Sequence, residues 1–446
     1  MTMAPDMRAT VPRHARPADR PLGLVKRLTI GWRDTDRVTA LGTHLQRYGA
    51  LPPHPPGTLI EAVTSAGLTG RGGAGFPTGV KMRAVAERRG PAIVVANGME
   101  SEPASDKDEA LLSRAPHLVL DGAAAAAREV GATTVAVCLP RAKQWLLTLV
   151  REAVAERVRA GYDLVAIEVY DLPHGYVSSS ESALVNWLNG GEAKPLAVPP
   201  RPFEKGVGRR PTMISNVETF AHIALIARFG PGWFRQAGLP DAPGSMLITT
   251  SGAVAAPGVY EVDAGITIGA ALSLSGGAAE HIASVLVGGY FGSWHNTAEV
   301  TTMPLASSAL KRIGAGPGAG VIVALPAHAC GLRETAKVLG WLAGEGAQQC
   351  GPCMFGLPAI AEDFAQLATG RPQGQLLDRL HRRLGMVSGR GACAHPDGAV
   401  RLARSALAAF AADARAHAAG LPCLPARQGR SPANAMPIPA SAGGWR

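Results

Sequence analysis

Apolar positions along the chain recur in two rhythms that alternate through the first half. Short runs such as Ala92-Ile93-Val94-Val95-Ala96, Thr133–Leu139 and Leu164–Tyr170 have the length and β-branched content of strands. Between and around them, apolar residues spaced three to four apart predict helices. These cover Thr35–Tyr48, Leu59–Ala66, Thr78–Arg89, Lys107–Ser113, His117–Val130, Ala142–Ala160, Ser178–Asn189 and Asn216–Phe229. A further short strand is expected at Leu28–Gly31, and a Pro- and Arg-rich loop at Glu192–Arg210. Strands alternating with helices predict an α/β domain with a mainly parallel sheet.

The texture changes at Gly244. Met246–Gly252, Gly258–Val262, Val285–Gly289 and Gly320–Ala324 read as strands, with one short helix near Ile268–Ser275. That spacing predicts a small α+β domain of the β-grasp type. From Leu332 to Ala419, Ala/Leu faces at 3.6 spacing predict a helical bundle. The expected division is a tail over 1–20, an α/β domain over 21–243, a β-grasp domain over 244–328, a bundle over 329–423 and a second tail over 424–446.

Composition narrows the picture. The chain has 446 residues, 47% hydrophobic and 17% charged, which reads as globular with ample core. Half of the net charge of +10 sits in the two tails: four Arg against two Asp in 1–20, and three Arg with no acid in 424–446. No basic stripe interleaved with aromatics points to nucleic acid. No apolar run reaches the length of a membrane span, and no secretory signal is visible. A cytoplasmic protein is expected, and its six cysteines are not expected to form a disulfide framework.

The densest chemical signal is Gly70-Arg71-Gly72-Gly73-Ala74-Gly75-Phe76-Pro77-Thr78-Gly79-Val80-Lys81. Glycines at this density let backbone N–H groups crowd around an anion, and the loop opens a helix. Gly70, Gly72 and Gly75 match the G-x-G-x-x-G dinucleotide spacing. That fingerprint should follow a strand. Here a helix precedes it, so the loop is read as a phosphate cradle of another kind.

Cys350-Gly-Pro-Cys353 and Cys393 could converge at one end of the bundle as an iron–sulfur or zinc site. A redox dithiol or unpaired thiols fit the same spacing. A four-ligand cluster lacks its fourth residue, for which His395 and Cys330 are the candidates. Glu100 and Glu102 follow a strand end, the ligand side of a parallel sheet, while Glu181 and Asn216 also read as ordinary helix-start residues.

In their order, these pieces resemble the flavoprotein (F-type) subunit of respiratory complex I and the related subunits of NAD-linked hydrogenases and formate dehydrogenases. The likeness is carried by Gly70–Gly79 with Lys81, Asn97 and Glu100-x-Glu102-Pro103, Lys107-Asp108, Gly175-Tyr176, Glu181-x-Ala183-Leu184, Asn216-Val217-Glu218-Thr219, Pro257–Glu261, and Cys350-x-x-Cys353 with Cys393. It implies a Rossmann-like FMN domain, an SLBB-type β-grasp domain and an iron–sulfur bundle. It implies FMN held by Gly70, Arg71, Gly72, Gly73, Ala74, Gly75, Lys81, Asn97, Glu100, Tyr176, Asn216 and Thr219. Phe76, Glu102 and Glu181 would serve the nicotinamide side, and Cys350, Cys353 and Cys393 a 4Fe–4S cluster.

The chain departs from the family pattern at several points. Ala347 stands where the first cysteine is expected, Met99 for an aspartate, Ser180 for the first of two glutamates, Val198 for a lysine, and Arg201 and Ala84 for aromatics. The expected activity is FMN-dependent electron transfer between NAD(P)H and an iron–sulfur cluster, then to a protein acceptor. The alternatives are a ferredoxin-linked flavoprotein that no longer takes NADH, docking through Arg201, Lys205, Arg209 and Arg210, or a redox-inactive scaffold.

Overall fold

The structure is a computed structural model that describes residues 22–32, 40–173, 175–423 and 436–439. The expected tail over 1–20 lies outside the described residues, as does most of 424–446.

The first sheet has four parallel strands: β1 (Ala92–Asn97), β2 (Ala132–Pro140), β3 (Ala166–Leu172) and β4 (Thr212–Asn216), in the order β3-β2-β1-β4. Three of them match the apolar runs. β4 has no counterpart in the hydrophobic pattern, because its run is short and ends in Ser215-Asn216. It is a strand because it pairs with β1, buried from Ala92 to Ala96, Ile93 opposite Thr212 through to Asn97 opposite Asn216.

The chain leaves β1 toward β2 and β3, then returns to β1's other edge as β4. The strand order therefore reverses between β1 and β4. In open parallel sheets a ligand crevice forms outside the carboxyl ends of the strands at such a reversal. Asn97 and Asn216 are the last residues of the two strands and stand in register.

The helices of this unit are α1 (Leu41–Tyr48), α2 (Thr58–Ala66), α3 (Thr78–Ala86), α4 (Lys107–Arg114), α5 (Pro116–Glu129), α6 (Gln144–Arg159), α7 (Glu181–Leu188) and α8 (Val217–Phe234). Ala123–Ala127 in α5 are all nearly fully buried. Small residues let α5 meet α8 closely: a Cβ added at Gly122 would sit 1.7 Å from the carbonyl oxygen of Phe220. Helix α2 precedes the glycine loop, as the pattern predicts.

The expected strand at Leu28–Gly31 is instead a run of bends and a turn. The Glu261 carboxylate accepts from the amides of Arg27, Leu28 and Thr29 at 2.8, 2.9 and 3.0 Å. Amides spent on one carboxylate cannot build a ladder. Of the expected helix Thr35–Tyr48, the part from Leu41 is helical, and 33–39 lie outside the described residues.

The second sheet is mixed: β5 (Ser245–Gly252), β6 (Gly258–Asp263), β7 (Ile282–Val287), β8 (Ser293–Asn296) and β9 (Val321–Pro326), in the order β8-β7-β9-β5-β6. β9 and β5 are parallel and the other pairs antiparallel. The pattern misses β8, a four-residue strand with two polar ends. One helix, α9 (Ile268–Leu274), shares a core with this sheet.

Helices α10 (Gly331–Gly344), α11 (Leu357–Ala368), α12 (Leu376–Val387), α13 (His395–Ala409) and α14 (Ala411–Ala418) follow. Their apolar faces form one core that also takes in Tyr176, Tyr290 and Trp294. The expected C-terminal tail is corrected at 436–439. Met436 is buried, its amide donates to Glu334 at 3.1 Å, and the Pro437 carbonyl accepts from the Tyr290 hydroxyl. No helix among the described residues is long and apolar enough to cross a membrane.

Candidate functional site

The glycine loop closes on itself before α3 begins. Thr69 bridges Pro77, the Gly70 amide donates to the Phe76 carbonyl at 2.8 Å, and the Thr78 amide to the Leu68 carbonyl at 2.9 Å. Gly73 and Gly75 have φ of 106° and 64°, a region side chains disfavour. A Cβ on Gly72 would lie 3.3 Å from the Cβ of Asn216, so the loop lies directly against the end of β4.

A charged network beneath holds the loop there. The Arg71 amide donates to the Thr219 hydroxyl at 2.9 Å, and its guanidinium to the Ser245 carbonyl at 3.0 Å. Lys107, 2% exposed, reaches Asp108 at 2.7 Å, Glu218 at 2.9 Å and Asn216 at 3.2 Å. Glu218 also accepts from the Leu247 amide at 2.8 Å, tying the second sheet to the first unit. Burial opposes its ionisation, yet Lys107 and His222 bring its carboxyl down to about 2. Burial likewise opposes the Lys107 ammonium, but Asp108, Glu218 and Glu100 raise its pKa. Lys107 and Glu218 are therefore held as an ion pair.

A cavity of about 580 Å³ opens at the ends of β1 and β4. It brings together Gly70, Gly72, Gly73, Ala74, Gly75, Phe76, Lys81, Asn97, Glu102, Tyr176, Glu181, Asn216 and Cys393. Gly288, Gly292, Gly316 and Gly318 of the second unit, and His395 and Arg401, also line it. A larger cavity of about 820 Å³ lies between β8 and α13. None of the glycine-loop or cysteine candidates lines it, so the chemistry points to the smaller one.

Three expectations are corrected here. Glu100 does not line the cleft. Its carboxylate accepts from the amides of Asp108 and Glu109 at 2.9 and 2.8 Å and from the Ser105 hydroxyl at 2.6 Å, capping α4. Burial and the nearby Asp108 charge raise its carboxyl to about 8. Thr219 and the Arg71 side chain also stand behind the loop, holding it from below.

In the cleft, Lys81 donates to Glu181 at 2.5 Å and to the Ile214 carbonyl at 2.8 Å. Glu102 accepts from the Tyr176 hydroxyl and the Tyr290 amide, both at 2.9 Å. Desolvation dominates its environment and raises its carboxyl to about 7. The Ser180 hydroxyl lines the cleft with its oxygen buried and without a hydrogen-bond partner. Met99, by contrast, is fully buried in the apolar cluster behind β1 and does not face the cleft.

Tyr176 joins the cleft to the helices. Its ring meets Phe291, Trp341 and His395 edge-on, with centroids 4.8, 5.2 and 5.8 Å away. Its amide donates to Glu345 at 2.9 Å, just beyond α10. Phe291 and Trp341 escaped the sequence reading, which named His395 only as a candidate fourth cluster ligand. So did Lys107 and Glu218 as a charge network, although both lie inside the quoted motifs.

The three cysteines gather beyond this aromatic set. Cys353 is 2% exposed, and its amide donates to the Cys350 carbonyl at 3.0 Å at the entry to α11. Burial, then the charges of Cys350 and Cys393, push its thiol up to about 12. The three sulfurs do not all lie within 4.8 Å of one another. Ala347, at the missing position, is buried and apolar. Cys330 is committed elsewhere, beside Cys423 and His417. His395 donates from Nε2 to the Leu342 carbonyl at 2.8 Å, leaving its buried Nδ1 without a partner.

Residues 63–225 match the Nuo51 FMN-binding domain, and 333–417 the NADH-ubiquinone oxidoreductase-F iron-sulfur binding region. Over 380 residues the chain is 31% identical to the F-type subunit of the NADH-quinone oxidoreductase of Streptomyces coelicolor, covering 82% of this chain and 84% of that one. The chain belongs to the family of F-type subunits of NADH-quinone oxidoreductase. It is also 35% identical over 237 residues to the alpha subunit of the NAD-reducing hydrogenase HoxS of Cupriavidus necator, covering 50% of this chain and 38% of that subunit. Among solved structures, the NAD+-reducing NiFe-hydrogenase in the H2-reduced state matches with a TM-score of 0.75 and 31% identity. That match covers 82% of this chain and 63% of the hydrogenase chain, so this chain spans under two thirds of its length.

Proposed function

We propose that this member of the F-type family is an FMN- and 4Fe–4S-containing oxidoreductase that moves electrons between NAD(P)H and a redox-protein partner within a multi-subunit assembly. The observation that carries the reading is one cleft lined both by the glycine loop and by Cys393. FMN accepts electrons in pairs and releases them singly to a cluster, so the two groups belong in one continuous site.

The residues fit both groups. The glycine loop supplies backbone crowding without side chains, Lys81 a cation, and Asn97, Asn216 and the unpartnered Ser180 hydroxyl polar contacts. Cys350, Cys353 and Cys393 supply three thiolates for the cluster. Glu102 and Glu181 are assigned to the nicotinamide side of the cleft, where Glu102 holds or releases a proton near neutrality. Tyr176 and Tyr290 orient its carboxylate.

The finer architecture belongs to the same reading: an FMN domain over 21–243, an SLBB-type β-grasp domain over 244–328 and an iron–sulfur bundle over 329–423. The mixed five-stranded sheet with one helix supports the second, and the shared core of α10–α14 the third.

Protein purified without oxygen should be yellow-brown and release FMN on denaturation. Adding NADH or NADPH should bleach the flavin absorbance. A colourless protein that stays apo after FMN is added would overturn the proposal. A flavoprotein that neither dinucleotide bleaches, but reduced ferredoxin does, would select the ferredoxin-linked alternative.

A further inference from the structure

Away from the cleft, two cysteines and a histidine meet where three segments converge. Cys330 precedes the first turn of α10, His417 lies in the last turn of α14, and Cys423 follows that helix. They are 3%, 2% and 1% exposed. Their ligand atoms all lie within 4.8 Å of one another. None of them lines the cleft.

The donors are prepared for a metal. His417 donates its Nδ1–H to the Leu367 carbonyl at 2.9 Å. A carbonyl only accepts, so the proton is on Nδ1 and the ring's lone pair on Nε2. Metal-binding imidazoles are oriented by just such a bond from the other nitrogen. Cys330 is the N-cap residue of α10; the helix end partly offsets the burial that pushes its thiol up to about 12. A zinc–sulfur bond of about 2.3 Å places two thiolates roughly 3.8 Å apart, which this gathering accommodates.

We propose that Cys330, His417 and Cys423 bind one divalent thiophilic metal ion, zinc(II). Binding releases the two thiol protons to solvent and forms two Zn–S bonds and one Zn–N bond. Two thiolates and a neutral imidazole leave the filled site uncharged, so burial exacts little penalty. The fourth tetrahedral position takes a water. The ion fastens the segment after α14 to the start of α10. Cys423 leads toward the stretch where Met436 bonds Glu334 and Pro437 accepts from Tyr290, the residue whose amide holds Glu102.

The test is metal analysis of the anaerobically purified holoprotein beside two variants. The expected result is about one zinc per chain, lost in both Cys423→Ser and His417→Gln, with FMN and iron per chain unchanged. In Cys350→Ser the zinc should stay while iron falls. Zinc that persists in Cys423→Ser and disappears in Cys350→Ser would overturn the proposal, as would an intact mass lacking the two hydrogens of a Cys330–Cys423 disulfide. If the variants fail to fold, the wild-type protein still decides. After zinc is removed and cobalt(II) added, thiolate-to-cobalt charge-transfer absorption is expected, in one-to-one stoichiometry. Its absence refutes the site.

Discussion

Lys81→Met separates a binding role from a structural one. Lys81 is paired with Glu181 at side-chain exposures of 21% and 48%. Exposed pairs of this kind contribute about 0–1 kcal/mol to stability, and the Glu181 carboxylate left behind remains hydrated. The substitution should therefore leave the melting temperature of the apoprotein nearly unchanged. A cationic hydrogen bond to an oxygen of FMN is worth about 1.5–3 kcal/mol. Its loss should weaken FMN binding roughly 10- to 150-fold, at about 1.4 kcal/mol per tenfold. Quenching of FMN fluorescence on titration with apoprotein measures the Kd, and a thermal melt of the same apoprotein measures the rest. An unchanged Kd, or an apoprotein melt that falls in step with affinity, would refute the assignment of Lys81 to the cofactor.

The remaining expectations concern the loop's foundation, the helix seam and the cysteines. Lys107→Met leaves Asp108 and Glu218 buried without their counter-charge; removing one partner of such a group costs about 3–5 kcal/mol, read as a large drop in the apoprotein melt. Gly122→Ala forces α5 from α8, because the new Cβ would meet the Phe220 carbonyl at 1.7 Å; overpacking costs about 1–3 kcal/mol or more, seen by denaturant unfolding, and an unshifted midpoint would refute the close approach. Cys350→Ser should lose iron while FMN stays bound, measured as iron per flavin.

Much of the fold was legible because its strands and helices are long or strongly periodic. β1, β2 and β3 announce themselves as apolar runs, and α5 and α6 as helical patterns. β4 was not, because a five-residue run ending Ser215-Asn216 acquires its identity from β1 beside it. Yet β4 creates the strand-order reversal that opens the cleft. The glycine loop was legible as an anion cradle from composition, and the helix before it excluded the dinucleotide fingerprint. Most of the residues the resemblance named line the cleft, whereas Glu100 and Thr219 do not. Their side chains act behind the cleft, and a motif does not say which way a side chain faces. Lys107 with Glu218, and Cys330 with Cys423, are contacts across distant stretches of chain. Sequence spacing carries no signal for either.

Tyr176 is the point at which these levels meet, and two substitutions divide its roles. Its hydroxyl donates to Glu102, while its ring packs against Phe291, Trp341 and His395. Tyr176→Phe keeps the ring and removes one donor to the carboxylate. Burial already raises Glu102 to about 7, against the bonds from Tyr290 and Tyr176. Losing a bond that favours the charged form raises it further. A raised carboxyl binds its proton more tightly folded than unfolded. The stability Glu102 contributes is therefore complete below about 4.5, its ordinary value, and is lost as pH rises through about 7. In Tyr176→Phe that loss should move to higher pH. Tyr176→Ala also forfeits three edge contacts worth about 0.5–1.5 kcal/mol each beyond burial, so it should loosen the seam between the cleft and the cysteine-bearing helices. Infrared difference spectra of the protonated carboxyl band across a pH series report the titration directly, with Glu102→Gln identifying the band. If the midpoint is the same in Tyr176→Phe and the wild type, the hydroxyl does not tune Glu102. If Phe and Ala at 176 melt alike, the ring does not hold the seam.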